Sequence, residues 1–236
     1  MRPLVERIGL AGIPLLLVWP PARGVPQPTV LWLHGLGADK DVHLPELLRF
    51  AEAGFLAVGF DAVDHGERRT ADCDQPLPQS PGEAPILFSR LVTQMVLEVS
   101  RLVDALVACG FSDRERIGIA GVSMGACVVY GSVAADQRLC AAVAIMGSPE
   151  PARPDWSAVA HAQCFPTALL SITAELDTVV PPAAAKALHE QLLPCYHRVP
   201  ERLGYRSLVG TPHFMSAGDW AQTVGEAIAW LSRFLR

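Results

Sequence analysis

A glycine–serine–glycine motif lies in the middle of the chain, between an apolar segment and a segment that is typical of a helix. The motif reads Gly121-x-Ser123-x-Gly125 and directly follows the apolar residues 117–120. A serine at the tip of so tight a strand-to-helix turn has a strained backbone, and side chains two residues before and after it would clash with the neighbouring strand and helix. The motif therefore predicts a buried strand, a turn that presents Ser123 as a nucleophile, and a helix whose positive N-terminus faces that serine. A plain Gly/Ser turn is the alternative.

Apolar segments typical of strands alternate with amphipathic segments along the rest of the chain. This alternation predicts a single α/β domain over residues 1–236, with a mostly parallel sheet, helices on both faces and no large cap domain. An N-terminal β-hairpin is predicted at residues 4–19. The further predicted strands are residues 29–33, 55–61, 141–146, 167–173 and 206–209, and the clearest helices are residues 89–109, 182–193 and 219–235. In such sheets the reactive groups collect at the carboxyl ends of the strands.

The overall composition narrows the possible partners. Half of the 236 residues are apolar, 18% are charged and the net charge is −5. No apolar run reaches the roughly 18 residues that span a bilayer, and no Lys/Arg cluster is present, so we expect neither a membrane span nor a nucleic-acid partner. The six cysteines show no C-x-x-C spacing, which indicates a reducing, cytoplasmic compartment. Residues 8–19 also resemble a signal-peptide core, but Glu6 and Pro14 fit that poorly and favour the hairpin.

The spacing of histidine, cysteine and glycine residues predicts neither a metal nor a cofactor. No H-E-x-x-H or Cys/His ligand pattern is present. Gly35-x-Gly37 lacks the third glycine of a dinucleotide-binding fingerprint, because position 40 is a lysine. The sequence carries no signal for an oligomeric state.

Two polar residues after Ser123 are the best candidates for its catalytic partners. A serine hydroxyl is a weak nucleophile unless a base takes its proton and an acid orients that base. Asp177 follows one predicted strand and His213 follows the next, which is the chain order of the α/β-hydrolase triad. A solvated turn aspartate, with Glu175 as a nearby competitor, and a histidine that caps the last helix are the respective alternatives.

Five motifs in this order resemble the α/β-hydrolase superfamily, and the resemblance covers nearly the whole chain. They are Gly121–Gly125, His34-Gly35, the segment from Asp61 to Gly66, Asp177 with Val180-Pro181, and His213-Phe214. The chain is most similar to the branch of small, largely lidless carboxylesterases that are dienelactone-hydrolase-like. Dienelactone hydrolases proper use a cysteine nucleophile, so the serine at position 123 favours a general ester as substrate. Ala174 is a second, lesser departure. Many members of the family have glycine at this position, before the turn that carries the acid.

The resemblance and the geometry of the turn together imply an acyl-enzyme mechanism on a small-molecule ester. The backbone N–H groups of Leu36 and Met124 are expected to form the oxyanion hole. His34 is expected to brace the oxyanion turn, and Asp64 and His65 to hold a loop in place. Two other hypotheses remain open. The first is a different reaction on the same fold, either hydrolysis of a peptide or amide or acyl transfer, and the second is a binding protein without catalytic activity.

The acyl pocket is the least constrained part of the site. Five apolar residues lie on predicted loops or helix starts near the strand ends, where they either line a pocket or belong to the ordinary core: Phe88, Met146, Trp156, Phe214 and Met215. No segment is long enough for a lid domain, which favours short or medium acyl chains over long lipids. Residues 69–85, with four prolines, are predicted to be irregular and to shape the binding site.

Overall fold

The computed structural model describes residues 2–22, 24–70, 82–152 and 162–235, and these residues contain one eight-stranded sheet. The strands are β1 (Leu4–Leu10), β2 (Ile13–Trp19), β3 (Gln27–Leu33), β4 (Leu56–Phe60), β5 (Ser112–Val122), β6 (Leu139–Ile145), β7 (Ala168–Ala174) and β8 (Leu203–Leu208). Their spatial order is β1-β2-β4-β3-β5-β6-β7-β8. β1 pairs antiparallel with β2, and β2 antiparallel with β4, whereas all other pairs are parallel. The predicted N-terminal hairpin and mostly parallel sheet are therefore confirmed.

Helices cover both faces of this sheet. They are α1 (Leu44–Glu52), α2 (Ala84–Ala108), α3 (Met124–Ala135), α4 (Ala183–Leu192) and α5 (Ala217–Leu235). Buried residues of α2, α3 and α4 share one apolar core with one face of the sheet, and those of α1 and α5 share a second core with the other face. Because both faces of the central strands are covered, β4 and β7 are buried along their whole length.

Several elements extend beyond the predicted boundaries. α2 begins at Ala84, ahead of the predicted residue 89, so Pro85 lies in its first turn and not in the irregular segment. Proline is tolerated there because the first N–H groups of a helix have no intrahelical acceptor. β5 begins at Ser112, ahead of the apolar residues 117–120 that indicated this strand. Its first residues are polar and lack the apolar signature of a strand, so the sequence did not predict them. Residues 71–81 of the predicted irregular segment lie outside the described residues.

The strand ends bring the candidate residues to one edge of the sheet. β3, β5, β7 and β8 are parallel neighbours or near neighbours, so the segments that follow them lie along the same edge. His34, Ser123, Asp177 and His213 belong to these four segments. Within the described part of the chain, no helix is both long enough and apolar enough to span a bilayer.

Candidate active site

Ser123 occupies the sharp turn between β5 and α3. Its backbone has φ +55° and ψ −115°, a conformation that residues other than glycine rarely adopt. A Cβ atom on Gly121 would lie 2.6 Å from the backbone of Gly125, and one on Gly125 would overlap the carbonyl group of Leu33. The N–H of Ser123 donates to the carbonyl of Ile145 at 2.8 Å, which fixes the strained turn to β6. The two glycines are thus required by the close approach of neighbouring backbone.

His213 lies between Ser123 and Asp177. Its Nε2 is 3.1 Å from the Ser123 Oγ, and its Nδ1 is 2.6 Å from the Oδ2 of Asp177. The side chains of His213 and Asp177 are only 9% and 1% exposed, so little water competes for these contacts. With the proton on Nδ1, the ring donates to the carboxylate and offers Nε2 to the serine hydroxyl. The structure therefore brings all three predicted residues together.

The second oxygen of Asp177 fixes the carboxylate in place. Oδ1 accepts the backbone N–H groups of Val179 and Val180 at 2.9 and 2.7 Å. Glu175, the competing carboxylate, instead accepts the N–H of Gly210 at 2.8 Å and so braces the turn that leads to His213. Asp177, and not Glu175, is thus the carboxylate in contact with the imidazole.

The two backbone N–H groups predicted for the oxyanion hole, those of Leu36 and Met124, belong to the segments on either side of Ser123. Met124 is the first residue of α3, so its N–H has no intrahelical acceptor. The segment that contains Leu36 runs directly against the serine, since a Cβ atom on Gly35 would lie 3.5 Å from the Ser123 Cβ. Within the described residues, no acceptor bonds to the N–H of Leu36. Both predicted donors are therefore free to bind an anion.

Two buried histidines hold the segment that contains Leu36. The Nδ1–H of His34 donates to the carbonyl of Gly35 at 2.8 Å, and its Nε2 accepts the N–H of Ala62 at 2.9 Å. His65 accepts the N–H of Gly37 at 3.1 Å, and its ring centroid lies 5.2 Å from that of His34. Burial lowers the pKa of His34 to about 4, which keeps the ring neutral so that Nε2 can accept a hydrogen bond.

A buried ion network continues behind these histidines, and no motif in the sequence predicts it. The ammonium group of Lys40 is fully buried, 2.8 Å from the Oδ2 of Asp61 and 2.5 Å from the Oε1 of Glu67. Asp61 also accepts the N–H groups of Lys40 and Glu67, at 2.9 and 3.0 Å. Burial alone would lower the pKa of Lys40, but hydrogen bonds to the two carboxylates outweigh burial and raise that pKa. The network ties the segment after β3 to the segment after β4.

An apolar cavity of about 700 Å³ opens directly on Ser123 and His213. Four of the five residues predicted for the acyl pocket line it: Phe88, Met146, Phe214 and Met215. Trp156, the fifth, lies outside the described residues. Phe214 is 85% exposed and lies at the open side, whereas Met146 is only 4% exposed. Val42, His43 and Trp220 also line the cavity and were missed, because the sequence gives no sign that residues 42–43 and 220 meet.

No metal-binding cluster accompanies the cavity in the described ranges. The residues there form no group of three or more His, Cys, Asp or Glu side chains that could hold a metal ion.

Comparison with known proteins places the chain in a family. Residues 16–196 match the model of the dienelactone hydrolase family. The chain belongs to this family. The predicted resemblance to the dienelactone-hydrolase-like branch of the α/β-hydrolases is thereby confirmed.

Individual relatives agree with this assignment. The chain is 32% identical over 146 residues to YitV of Bacillus subtilis, and 28% identical over 145 residues to the esterase YjfP of Escherichia coli. Each match covers 61% of this chain but only 54% and 55% of the respective relatives, so the chain spans about half of their length. The crystal structure of TT1662 from Thermus thermophilus has 27% identity and a TM-score of 0.83, and the match covers 100% of this chain and 99% of that one.

Proposed function

We propose that this member of the dienelactone hydrolase family is a serine hydrolase that cleaves carboxylic esters with short or medium acyl chains. The observation that carries the proposal is the hydrogen-bonded chain from Ser123 through His213 to Asp177, with contacts of 3.1 and 2.6 Å, at the wall of an apolar cavity. These are the relative positions that a nucleophile, a base and an orienting acid need.

In the proposed acylation step, the Ser123 Oγ attacks the ester carbonyl carbon while the Nε2 of His213 takes the hydroxyl proton. The carbonyl oxygen becomes an oxyanion, which accepts hydrogen bonds from the N–H groups of Leu36 and Met124. His213 then gives the proton to the departing alkoxide, the C–O bond of the ester breaks, and the acyl group remains on Ser123. Asp177 stabilises the imidazolium that forms transiently and holds its tautomer.

In the proposed deacylation step, His213 takes a proton from a water molecule as its oxygen attacks the acyl-serine. The same two backbone donors hold the second oxyanion, and His213 returns the proton to the Ser123 Oγ as the carboxylic acid leaves. The N-terminus of α3 adds its positive dipole end at the place where negative charge develops in both steps.

The cavity supports the proposed substrate class. Its lining is mostly aliphatic and aromatic, which suits a hydrocarbon acyl chain, and its volume of about 700 Å³ falls in the ordinary range for small-molecule sites. The serine nucleophile supports a general ester over the dienelactone of the family's name.

A substrate panel tests the proposal. We expect kcat/KM on p-nitrophenyl esters to peak at an acyl chain of twelve carbons or fewer, and p-nitroanilides of the same acyl groups to react far more slowly. A preference for longer chains would overturn the proposed chain length. Equal or faster cleavage of the anilides would instead favour an amidase, and transfer of the acyl group to an added alcohol in preference to water would favour an acyltransferase.

A further inference from the structure

A second histidine–carboxylate pair borders the same cavity. The Nδ1 of His43 lies 3.2 Å from the Oε2 of Glu46, and the Oε1 of Glu46 accepts the indole N–H of Trp220 at 2.7 Å. His43 and Trp220 both line the cavity that opens on Ser123. The pair therefore resembles His213 with Asp177, in that a carboxylate holds one ring nitrogen, but no serine occupies the other.

Neighbouring groups hold the side chains of His43 and Glu46 in fixed orientations. The side chains of His43 and Glu46 are 12% and 11% exposed, and both carboxylate oxygens of Glu46 have donors. Burial alone would raise the pKa of Glu46. The hydrogen bonds from His43 and Trp220 outweigh burial, so the pKa of this carboxyl group lies below its ordinary value. The His43 ring also packs against Trp32, with ring centroids 5.5 Å apart. These contacts fix the orientation of the imidazole.

The remaining nitrogen of His43 is available to a ligand. Within the described residues, no hydrogen-bond partner contacts its Nε2. Among the described residues that line the cavity, Ser123 and His213 are engaged with each other, and the indole N–H of Trp220 is engaged with Glu46. His43 therefore supplies a free polar atom in a wall that is otherwise suited to hydrocarbon.

A hydroxyl group is the ligand that suits this atom in either protonation state of the ring. When the ring is neutral and Nδ1–H donates to Glu46, Nε2 accepts a hydrogen bond from an O–H group. When the ring is protonated, Nε2–H donates to a lone pair of the same oxygen. A carboxylate on the substrate would be bound only by the protonated ring, and a methyl group would leave Nε2 unpaired in both states.

We propose that His43, oriented by Glu46, is a specificity-determining residue that binds a hydroxyl group on the acyl chain of the ester substrate. The inference rests on the proposed function, because it assigns the acyl chain to the cavity beside Ser123. Esters of hydroxy acids are then the substrate class that the site distinguishes from plain hydrocarbon esters. The distinction arises because a polar group in an apolar wall rejects ligands that cannot pair with it.

Two ester series test this proposal: p-nitrophenyl hexanoate, octanoate and decanoate, and the same esters with a hydroxyl group on the terminal carbon. The measured quantity is the ratio of kcat/KM for a hydroxylated ester to that for its parent. We expect His43→Phe, which keeps an aromatic ring between the tryptophans, to lower this ratio by about tenfold at one or more chain lengths. The kcat/KM for the parent esters should rise, because the phenyl ring removes the Nε2 atom that a plain hydrocarbon chain leaves unpaired.

His197→Phe is the matched control, because His197 is exposed, bonds to the carbonyl of Pro194 and does not line the cavity. This variant should keep the wild-type ratio. If thermal unfolding shows that His43→Phe is not folded, His43→Leu replaces it with the same expected loss, because leucine has no atom that could pair with the hydroxyl group. A ratio that is equal in the wild type and the His43 variant at every length would overturn this inference alone. Failure of the wild type to hydrolyse either series would overturn the proposed function as well.

Discussion

The two sides of the candidate active site are built in different ways. On one side, the segments after β7 and β8 contribute Asp177 and His213, whose side chains form a single line of hydrogen bonds to Ser123. On the other side, the segment after β3 contributes the predicted donor N–H of Leu36. The side chains of His34 and Lys40 in this segment are buried and bond to Ala62 and Asp61, which follow β4.

In the proposed mechanism, this difference separates proton transfer from charge stabilisation. A proton must move between side chains, so the side with Asp177 and His213 needs side-chain atoms within hydrogen-bond distance of one another. An oxyanion is stabilised by donors whose positions are fixed beforehand, so the second side needs a rigid backbone. Changes on the first side should therefore reduce the reaction rate with little effect on folding, and changes on the second side should reduce the free energy of unfolding.

The largest expected effect is that of Ser123→Ala on turnover. Removing the nucleophile should lower kcat for p-nitrophenyl butyrate by about 10⁴-fold to 10⁶-fold, as in comparable triads. Because alanine retains the Cβ atom and the backbone strain, the free energy of unfolding in urea should change by less than about 1 kcal/mol. Residual activity above one per cent of the wild type, in protein free of wild-type contamination, would contradict the role of Ser123.

Asp177→Asn should have the next largest effect, a loss of about 10⁴-fold in kcat, because an amide does not hold the imidazole in the required tautomer. Glu175→Gln is the matched control, since Glu175 lies two residues away and bonds to Gly210 instead of His213. We expect that control to change kcat by less than about threefold. Equal losses in the two variants would mean that Asp177 acts only through the local fold.

On the second side, Lys40→Met should reduce the free energy of unfolding by about 3–5 kcal/mol, because it leaves the buried carboxylate of Asp61 without its cation. Urea denaturation measures this loss. Lys186→Met, at an exposed position of α4, should change the same quantity by less than about 0.5 kcal/mol. If the two lysine variants are equally stable, the buried network does not support the fold.

The smallest expected effect is the pH dependence that comes from His34. Its pKa is about 4 in the folded protein against 6.5 for the ordinary side chain, so the unfolded chain binds the proton first as the pH falls. The free energy of unfolding should therefore be highest above pH 6.5 and decrease between pH 6.5 and 4, by at most about 3 kcal/mol from this group. In His34→Gln this part of the slope should be absent in urea titrations at successive pH values, and a slope as steep as that of the wild type would contradict it.

The first side of the site could be predicted from the sequence, and most of the second could not. Ser123, Asp177 and His213 each follow an apolar strand, and parallel strands end at one edge, so their order along the chain predicts their proximity. In the sequence, Lys40 precedes a helix and resembles a solvent-exposed lysine. No pattern in the neighbouring residues shows that the carboxylates of Asp61 and Glu67 will contact its ammonium group. His43 and Trp220 meet through Glu46 although 177 positions separate them in the chain, and no local pattern encodes such a contact.

The predicted fold was least accurate where an element begins with residues that are not apolar. Apolar runs located the buried strands, but the polar beginning of β5 and the proline in the first turn of α2 lack an apolar signature. Within α5, Trp220 and Ile228 are half-buried, although Val224, Leu231 and Leu235 of the same helix are buried. For Trp220 the reason is that its ring borders the cavity while its indole N–H reaches Glu46.

Direct labelling of the nucleophile tests the central claim most closely. After incubation with diisopropyl fluorophosphate, intact mass spectrometry should show one adduct, and fragmentation of the labelled peptide should locate it on Ser123. The adduct should be lost in Ser123→Ala and kept in Ser148→Ala, a control that removes another hydroxyl group near the strand ends. An adduct of full intensity in Ser123→Ala, or one located on a different residue, would contradict the account.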